Sequence, residues 1–497
     1  MVLKESKLFQ ISGFAKTVLL AITIVIAGCG GGGGSSSADP YQPSVDSTAP
    51  VITLQGGNPQ AVDLNAEYQE AGASADTGET VVIDSTAVDT ASVGSYTVTY
   101  NVTDAAGNQA AEKTRTVNVT DPTVNFAILH TGQSLAGGGS GGDYVEGVSN
   151  TNFPNRIYMF APKPVAWDEE ILSNNLIELT ESLPKITIAH SLTNNLALNN
   201  ENTYIFHGQA FGGSTYEDLK KGGITGTYSR SLDQVKNTFN QYPDIIYKAI
   251  TIIHGEWDGV LNTTNYSENL NEWVKDFNLD IKAITGQASD IQLYICQVAS
   301  ASGYGFINKI SSIYFPTTLE QLKAHINNQN ITLVAPKYFL PYNDHSHITN
   351  LGQRILGEYY AKAIEYGSTY EPLRPKSITS SGDLIYIDFI GAVGELVFDE
   401  SLVKPIANYG FDYVDDNGNY IKNIQIVNNT IVITLSGDKS NNAFVSYAYQ
   451  NGDGGAISQL LGFGERGNLR DNNPQTSTYD KSYKLYNWAV TFKEELK

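Results

Sequence analysis

All 7 histidines of the chain lie between positions 130 and 347, and four short polar motifs gather there. The first is Gly132-Gln133-Ser134, directly after the apolar run Val124–Leu129. The second is His207-Gly208-Gln209-Ala210-Phe211-Gly212-Gly213-Ser214, after Tyr204-Ile205-Phe206. The third is His254-Gly255-Glu256-Trp257-Asp258, after Ala249–Ile253. The fourth is Asn343-Asp344-His345-Ser346-His347-Ile348-Thr349-Asn350, leading into a helical pattern. A serine at the end of a buried strand stands where sheet enzymes put reacting groups, in the crevice outside the carboxyl ends of the strands. Glycine beside it lets the backbone turn sharply and lets a substrate approach main-chain N–H groups. The histidines also raise a metal site, with His345-x-His347 as a possible pair. No His-Glu-x-x-His occurs and no cysteine joins the cluster, so metal chemistry is the weaker reading.

These motifs need elements to hold them. From about 123 to 375, apolar strand-like runs (Asn202–Phe206, Lys248–Ile253, Ile291–Val298, Ile331–Val334) alternate with amphipathic helical patterns. The helical patterns span Ile186–Leu198, Ser229–Tyr242, Tyr266–Gln287, Thr317–Asn328 and Leu351–Tyr366. Continuous apolar strands alternating with helices predict a doubly wound parallel sheet covered on both faces, a three-layer α/β fold. Three strand ends and one loop before a late helix then face one edge of that sheet.

The flanks differ in pattern. Lys4, Lys7 and Lys16 precede the apolar stretch Val18–Ile26, which is too short to span a bilayer and reads as a signal segment. The Gly/Ser-rich residues up to Ala49 read as a flexible stalk. Residues 50–121 carry short, β-branched, partly alternating runs separated by turns, a small β-sandwich pattern without histidine or cysteine. Residues 376–497 return to short strands and read as a second β-sandwich. There, Asp415–Asn419 fails the register of a calcium loop and reads as a hairpin turn. The glycine-rich stretch Gly462–Asp471, with Arg466 and Arg470, is either a plain connection or a loop over the active-site mouth.

Composition narrows the partners. Net charge is −21, with 31 basic and 52 acidic residues, which disfavours nucleic acid and anionic membrane surfaces. There are 2 cysteines, Cys29 and Cys296. Cys296 lies in a strand-like run and reads as a small buried hydrophobe.

Three resemblances then give the motifs meaning. Ile26-Ala27-Gly28-Cys29 resembles a bacterial lipobox, which implies cleavage after residue 28 and lipidation of Cys29; Gly30 after it implies the outer membrane in a Gram-negative cell. Tyr68-x-Glu70-x-Gly72-Ala73, Val93–Tyr100 and Thr103–Asn108 resemble the bacterial Ig-like domain of cell-surface proteins, which implies a spacer or glycan-contacting module. The order Gly-Gln-Ser, Gly-Gly-Ser, Gly-Glu and Asp-x-x-His-x-Thr-x-x-Gly resembles the SGNH (GDSL-like) hydrolases, and within them the sialate O-acetylesterase and acetylxylan esterase-like branch. This last resemblance implies Ser134 as nucleophile, His347 as its base and Asp344 as the carboxylate that orients the base. It implies an oxyanion hole from the Ser134 and Gly213 N–H groups.

The third donor departs from the family. Trp257 stands where the superfamily has Asn, and His254 where the branch has Gln. His254 is taken as the donor, by the geometric logic of such holes. Gln133, Glu256 and His345 are substrate-binding candidates. No cofactor is implied.

The expectation is a lipid-anchored bacterial envelope protein: signal peptide 1–28, linker 29–49, Ig-like module 50–121, SGNH hydrolase-like domain 123–375 and C-terminal β-sandwich 376–497. Its function is removal of acyl groups, acetyl foremost, from carbohydrate, with the membrane met only through the lipid. The alternatives are a catalytically dead fold that holds glycan, for which the replaced third donor argues, and a lipase or thioesterase, which needs a large apolar cleft.

Overall fold

The computed structural model describes residues 46–120, 123–140, 148–301, 304, 314–449 and 465–497. The signal, most of the stalk, Cys29 and Gly462–Gly464 lie outside the described residues. Two compact units emerge. Of the described residues, one comprises 46–58 with Gln69–Ala87 and Thr97–Thr116; the other comprises Pro59–Tyr68, Val88–Tyr96 and those from Val117 on.

In the first unit, Ile52–Leu54 pairs antiparallel with Ala73–Ala75, and Val82–Asp84 pairs antiparallel with Thr99–Asn101. Its interior holds a fully buried Arg115, whose guanidinium meets Glu70 at 2.6 Å. The Tyr100 hydroxyl donates to the same carboxylate at 2.7 Å. A buried charge is tolerable only when paired and hydrogen-bonded, as here.

The second unit is organised around a sheet of eight strands. They are β1 (Asn125–Gly132), β2 (Ile157–Phe160), β3 (Val165–Trp167), β4 (Leu176–Glu178), β5 (Thr203–Ala210), β6 (Ile246–Ile253), β7 (Gln292–Gln297) and β8 (Ile331–Pro336). Their order is β4-β2-β5-β1-β6-β7-β8, with β3 on β5. All pairs are parallel except the edge pair β4–β2. The five long strands therefore run in the order second, first, third, fourth, fifth. The chain reverses its direction of winding at β1, and a crevice opens beside that strand.

Among the described residues, seven helices accompany the strands: α1 (Ala189–Leu196), α2 (Tyr216–Leu219), α3 (Thr227–Gln241), α4 (Glu256–Val260), α5 (Tyr266–Thr285), α6 (Pro316–Asn327) and α7 (Asn350–Tyr366). Helix α1 packs on α7, while α5 packs on both α3 and α6. The five long strands are buried over most of their length, as the apolar runs require.

After α7 the described residues form two larger antiparallel sheets and two small two-stranded ones. Of the larger sheets, the first holds Arg374–Ser381, Leu384–Ile390, Thr430–Leu435 and Ile421–Val427; the second holds Phe411–Val414, Ala443–Tyr447 and Phe492–Leu496. Phe389 of the first meets Phe492 of the second, and Phe411 and Tyr447 complete the aromatic contact. This module is fastened to the α/β sheet. Gln297 exchanges both of its amide bonds with Thr491 and Thr318, and the Tyr338 hydroxyl donates to the Ala489 carbonyl at 2.7 Å.

Asp415–Asn419 is not a hairpin turn. The strands it joins, Phe411–Val414 and Ile421–Val427, belong to different sheets. The Asp415 side chain accepts from the Asn417 and Asn419 N–H groups and so forms the corner itself.

Candidate active site

Register brings the motifs together. Gly132 at the end of β1 lies opposite Ala210 of β5 on one side and Ile253 of β6 on the other. The three strands thus end level, and Ser134, Gly213 and His254 follow within three residues. Gly132 has φ +143°, and a Cβ there would collide with the Ile253 carbonyl. Only glycine lets β1 end against β6 at the point where the chain must turn. The turn is closed by Ala136 N–H to the Gln133 carbonyl at 2.9 Å and Gly137 N–H to the Ser134 carbonyl at 3.2 Å. It leaves Ser134 half-buried at the crevice.

The fourth motif arrives from the far side. Asn343 N–H donates to the His347 carbonyl at 2.9 Å, and Tyr342 bridges Ile348, so the loop is a closed turn. Thr349 caps α7, its hydroxyl accepting from Gly352 N–H at 3.1 Å. One helical turn on, Gln353 donates to the Leu135 carbonyl at 2.7 Å. This buried bond ties the helix after His347 to the turn that carries Ser134.

A continuous hydrogen-bonded chain results. Ser134 Oγ is 2.9 Å from His347 Nε2, and His347 Nδ1 is 2.8 Å from Asp344 Oδ2. Asp344 Oδ1 also accepts from the backbone N–H groups of Ser346 and His347, at 2.8 and 2.7 Å. Partial burial pushes the Asp344 carboxyl up. The His347 ring and the two amides outweigh it and hold the group well below the usual carboxylate range. A carboxylate so fixed stabilises a proton on the distal ring nitrogen and leaves Nε2 to face the serine.

Opposite Ser134 the second motif makes a tight turn. Gly213 sits at φ +62°, and a Cβ there would meet nothing within 4 Å, so the need for glycine is conformational. Among the described residues, the Ser134 and Gly213 N–H groups donate to no protein acceptor.

His254 is not the third donor to this space. Its ring is fully buried, stacked on Tyr266 and edge-on to Trp273. Nε2 is 3.0 Å from the Ser214 carbonyl and Nδ1 is 2.6 Å from the Tyr266 hydroxyl. Both ring nitrogens are spent inside the fold, and one of them holds the Gly213 turn from behind.

Glu256 is likewise no substrate contact. It is 1% exposed and pairs with the fully buried Lys337. Gln133 is buried too, its Oε1 facing the Gly255 and Trp257 amides at 3.4 and 3.5 Å. His345 remains partly exposed at the rim, edge-on to Tyr304 with ring centroids 5.0 Å apart. His130 and His207 are structural: Thr251 and the Ala136 carbonyl hold the first, Gln234 and Tyr247 the second. Arg466 and Arg470 are used within the C-terminal module, on the Lys404 and Pro405 carbonyls and on Asp399.

Asp168 is a site neighbour that sequence reasoning missed. Its φ is +52°, and its Oδ1 accepts from Gly212 N–H at 2.9 Å, fixing the residue before Gly213. It lies in an acidic turn after β3, and nothing in the sequence distinguishes it from the neighbouring Glu169 and Glu170.

Residues 127–365 match the family model described as carbohydrate esterase, sialic acid-specific acetylesterase. The chain is an esterase of the carbohydrate acetylesterase type. Residues 52–119 match a second model, the Ig-like domain of bacterial surface proteins. No curated protein matches this esterase. Among solved structures it is similar to a carbohydrate acetylesterase from Xanthomonas citri, at 14% identity and a TM-score of 0.47 over 80% of this chain and 85% of that one. It is also similar to a protein from Arabidopsis thaliana, at 18% identity and a TM-score of 0.33 over 49% of this chain and 98% of that one. A carbohydrate acetylesterase from Sinorhizobium meliloti shares 11% identity at a TM-score of 0.29, over 48% of this chain and 98% of that one.

Proposed function

We propose that this esterase is a cell-surface serine hydrolase that removes O-acetyl groups from carbohydrate through an acyl-enzyme. The observation that supports it best is the unbroken Ser134–His347–Asp344 chain, with Oγ to Nε2 at 2.9 Å and Nδ1 to Oδ2 at 2.8 Å. His347 takes the proton from Ser134 as Oγ attacks the ester carbonyl. Asp344 stabilises the imidazolium, and His347 gives the proton to the departing sugar oxygen, which leaves as the free hydroxyl. The Ser134 and Gly213 N–H groups receive the oxyanion. Water then enters, His347 activates it, and acetate leaves. The aligned, half-buried serine favours this reading over a fold that only holds glycan. The setting would be an SGNH hydrolase-like three-layer α/β domain over 123–375, followed by a β-sandwich over 376–497. A signal peptide over 1–28, a lipid on Cys29, a linker over 29–49 and an Ig-like spacer over 50–121 would display it on the cell envelope.

The test is labelling with a fluorophosphonate probe together with hydrolysis of acetylated polysaccharide. Adduct on Ser134, and loss of nearly all turnover in both Ser134→Ala and His347→Ala, is the expected result, because the two act as one unit. Hydrolysis that persists in folded Ser134→Ala would refute the mechanism. Release of Cys29→Ser from membranes into the soluble fraction tests the anchor; unchanged detergent partitioning would refute it.

A further inference from the structure

The turn that offers the Gly213 N–H is fixed on both sides. Before it, Phe211 N–H donates to the Gly132 carbonyl at 3.1 Å. After it, the Ser214 carbonyl lies 3.0 Å from His254 Nε2. Between these points stand two glycines, Gly212 and Gly213, whose backbone is the most permissive a chain can have. Either peptide N–H can in principle turn to the crevice. Asp168 Oδ1 takes the Gly212 N–H at 2.9 Å, and the Gly213 N–H is the one left over.

Asp168 is itself held from several directions. Strand β3 runs parallel to β5, with Trp167 opposite Ala210. Just beyond it, the Asp168 N–H donates to the Ala210 carbonyl at 2.8 Å. The Asp168 carbonyl accepts from Gln209 Nε2 at 2.7 Å and from Arg230 Nη2 at 2.9 Å. These bonds keep the residue at φ +52°, a left-handed conformation that Asp and Asn adopt more readily than other residues with a Cβ. The preceding side chain sets a spacing. A Cβ on Gly137, three residues after Ser134, would collide with the Trp167 ring, and a Cβ on Gly212 would lie 3.1 Å from it. One dipeptide at the end of β3 thus touches both the turn that carries the nucleophile and the turn that carries the Gly213 N–H.

We infer that Asp168 is a positioning residue for the oxyanion hole: its side-chain oxygen holds the Gly212 N–H aside so that the Gly213 N–H faces the ester oxygen. The inference rests on the esterase reading above. The negative charge of Asp168 is not what the site uses. A carboxylate beside the hole opposes the charge that builds on the ester oxygen in the transition state. What the site uses is an acceptor on a short side chain that tolerates left-handed backbone. Asn meets both needs, Gly meets only the backbone need, and Ala meets neither.

The experiment measures kcat and KM on a small acetyl ester for the wild type, Asp168→Asn, Asp168→Gly and Asp168→Ala, with denaturation curves for each. Hydrogen exchange of the amides over 210–214 is followed by mass spectrometry on the same proteins. Asn155→Ala is the control for strain: Asn155 has φ +63° and lies two residues before β2, at the other end of the sheet. The expected result is that Asp168→Asn keeps the wild-type kcat or exceeds it. Asp168→Gly should lose about tenfold in kcat at nearly constant KM, because a small displacement of a reacting or stabilising group is enough to slow the chemistry. Its amides over 210–214 should exchange faster than those of Asp168→Asn. Asp168→Ala should lose at least as much kcat and also lose stability, and Asn155→Ala should share only the loss of stability. A wild-type kcat in Asp168→Gly would overturn the inference. A loss in Asp168→Asn as large as in Asp168→Gly would overturn it too, since the charge would then be what matters. If the wild type hydrolyses no ester, the esterase reading fails. Faster exchange in Asp168→Gly than in Asp168→Asn would then still support the hold on Gly212, and equal exchange would overturn it.

Discussion

His254 Nε2 lies 3.0 Å from the carbonyl oxygen of Ser214. A carbonyl only accepts, so Nε2 carries a proton, and Nδ1 is hydrogen-bonded to the Tyr266 hydroxyl at 2.6 Å. The imidazole is thus a strut between α5 and the turn that presents Gly213. His254→Ala would leave a buried carbonyl and a buried hydroxyl unpaired, a loss of about 1–3 kcal/mol in stability. Turnover should fall by less than the ~10²–10³ seen when a direct oxyanion donor is removed. Chemical denaturation and steady-state kinetics on the same preparation check this. A loss of that larger size in kcat at unchanged stability would return His254 to the oxyanion hole.

Gly213→Ala probes the hole from the front. Its left-handed backbone strains any residue with a Cβ by about 1–2 kcal/mol, and the site offers no clash to confuse the result. Relaxation of that strain moves the Gly213 N–H. We expect kcat to fall at least tenfold, with KM for a small ester nearly constant. Gly222→Ala is the control. Gly222 has φ +77°, and a Cβ there would also meet nothing within 4 Å, but it lies after α2, outside the Gly213 turn. It should cost similar stability and leave kcat unchanged. Equal kinetic effects at the two positions would argue against Gly213 as a donor.

Much of the α/β core was legible because its signals are local. The helical pattern over Tyr266–Gln287 appears as α5, Tyr266–Thr285, and Leu351–Tyr366 appears as α7, Asn350–Tyr366. Strands ran longer than their apolar runs. In β1 the polar residues His130 and Thr131 remain paired to Gly208 and Gln209, which an apolar-run criterion passes over. The partners of buried polar groups were not legible. Glu256 meets Lys337 from 81 residues away, and His254 meets Ser214 from 40 residues back. Such pairs are set by the fold, which brings the end of β6 within reach of the turn after β5, with β1 between the two strands, and brings α4 to the end of β8. Read alone, Glu256 and His254 looked like site residues because they share a motif with an active-site strand end. The fold uses their polarity to hold that strand end in place.

Acid sensitivity follows from the two histidines buried beside the sheet. Burial lowers His130 and His207 to about 4, from an ordinary value of 6.5. Both are neutral in the folded protein at pH 5, whereas the unfolded chain has already protonated them. The unfolded state binds more protons in this window, so stability rises with pH there and is lost as pH falls from about 6.5 toward 4. Each group contributes on the order of 3 kcal/mol at neutral pH. His325 and His345, also lowered chiefly by burial, act in the same direction. Denaturation at a series of pH values should give a proton uptake on unfolding of about two or more near pH 5. His207→Gln should lower that uptake by about one even if it costs stability at pH 7, because the slope depends only on the titrating groups. A slope near zero between pH 6.5 and 4.5 would mean that these rings are protonated in the native state, and that the buried bonds from His207 to Gln234 and Tyr247 rearrange in acid.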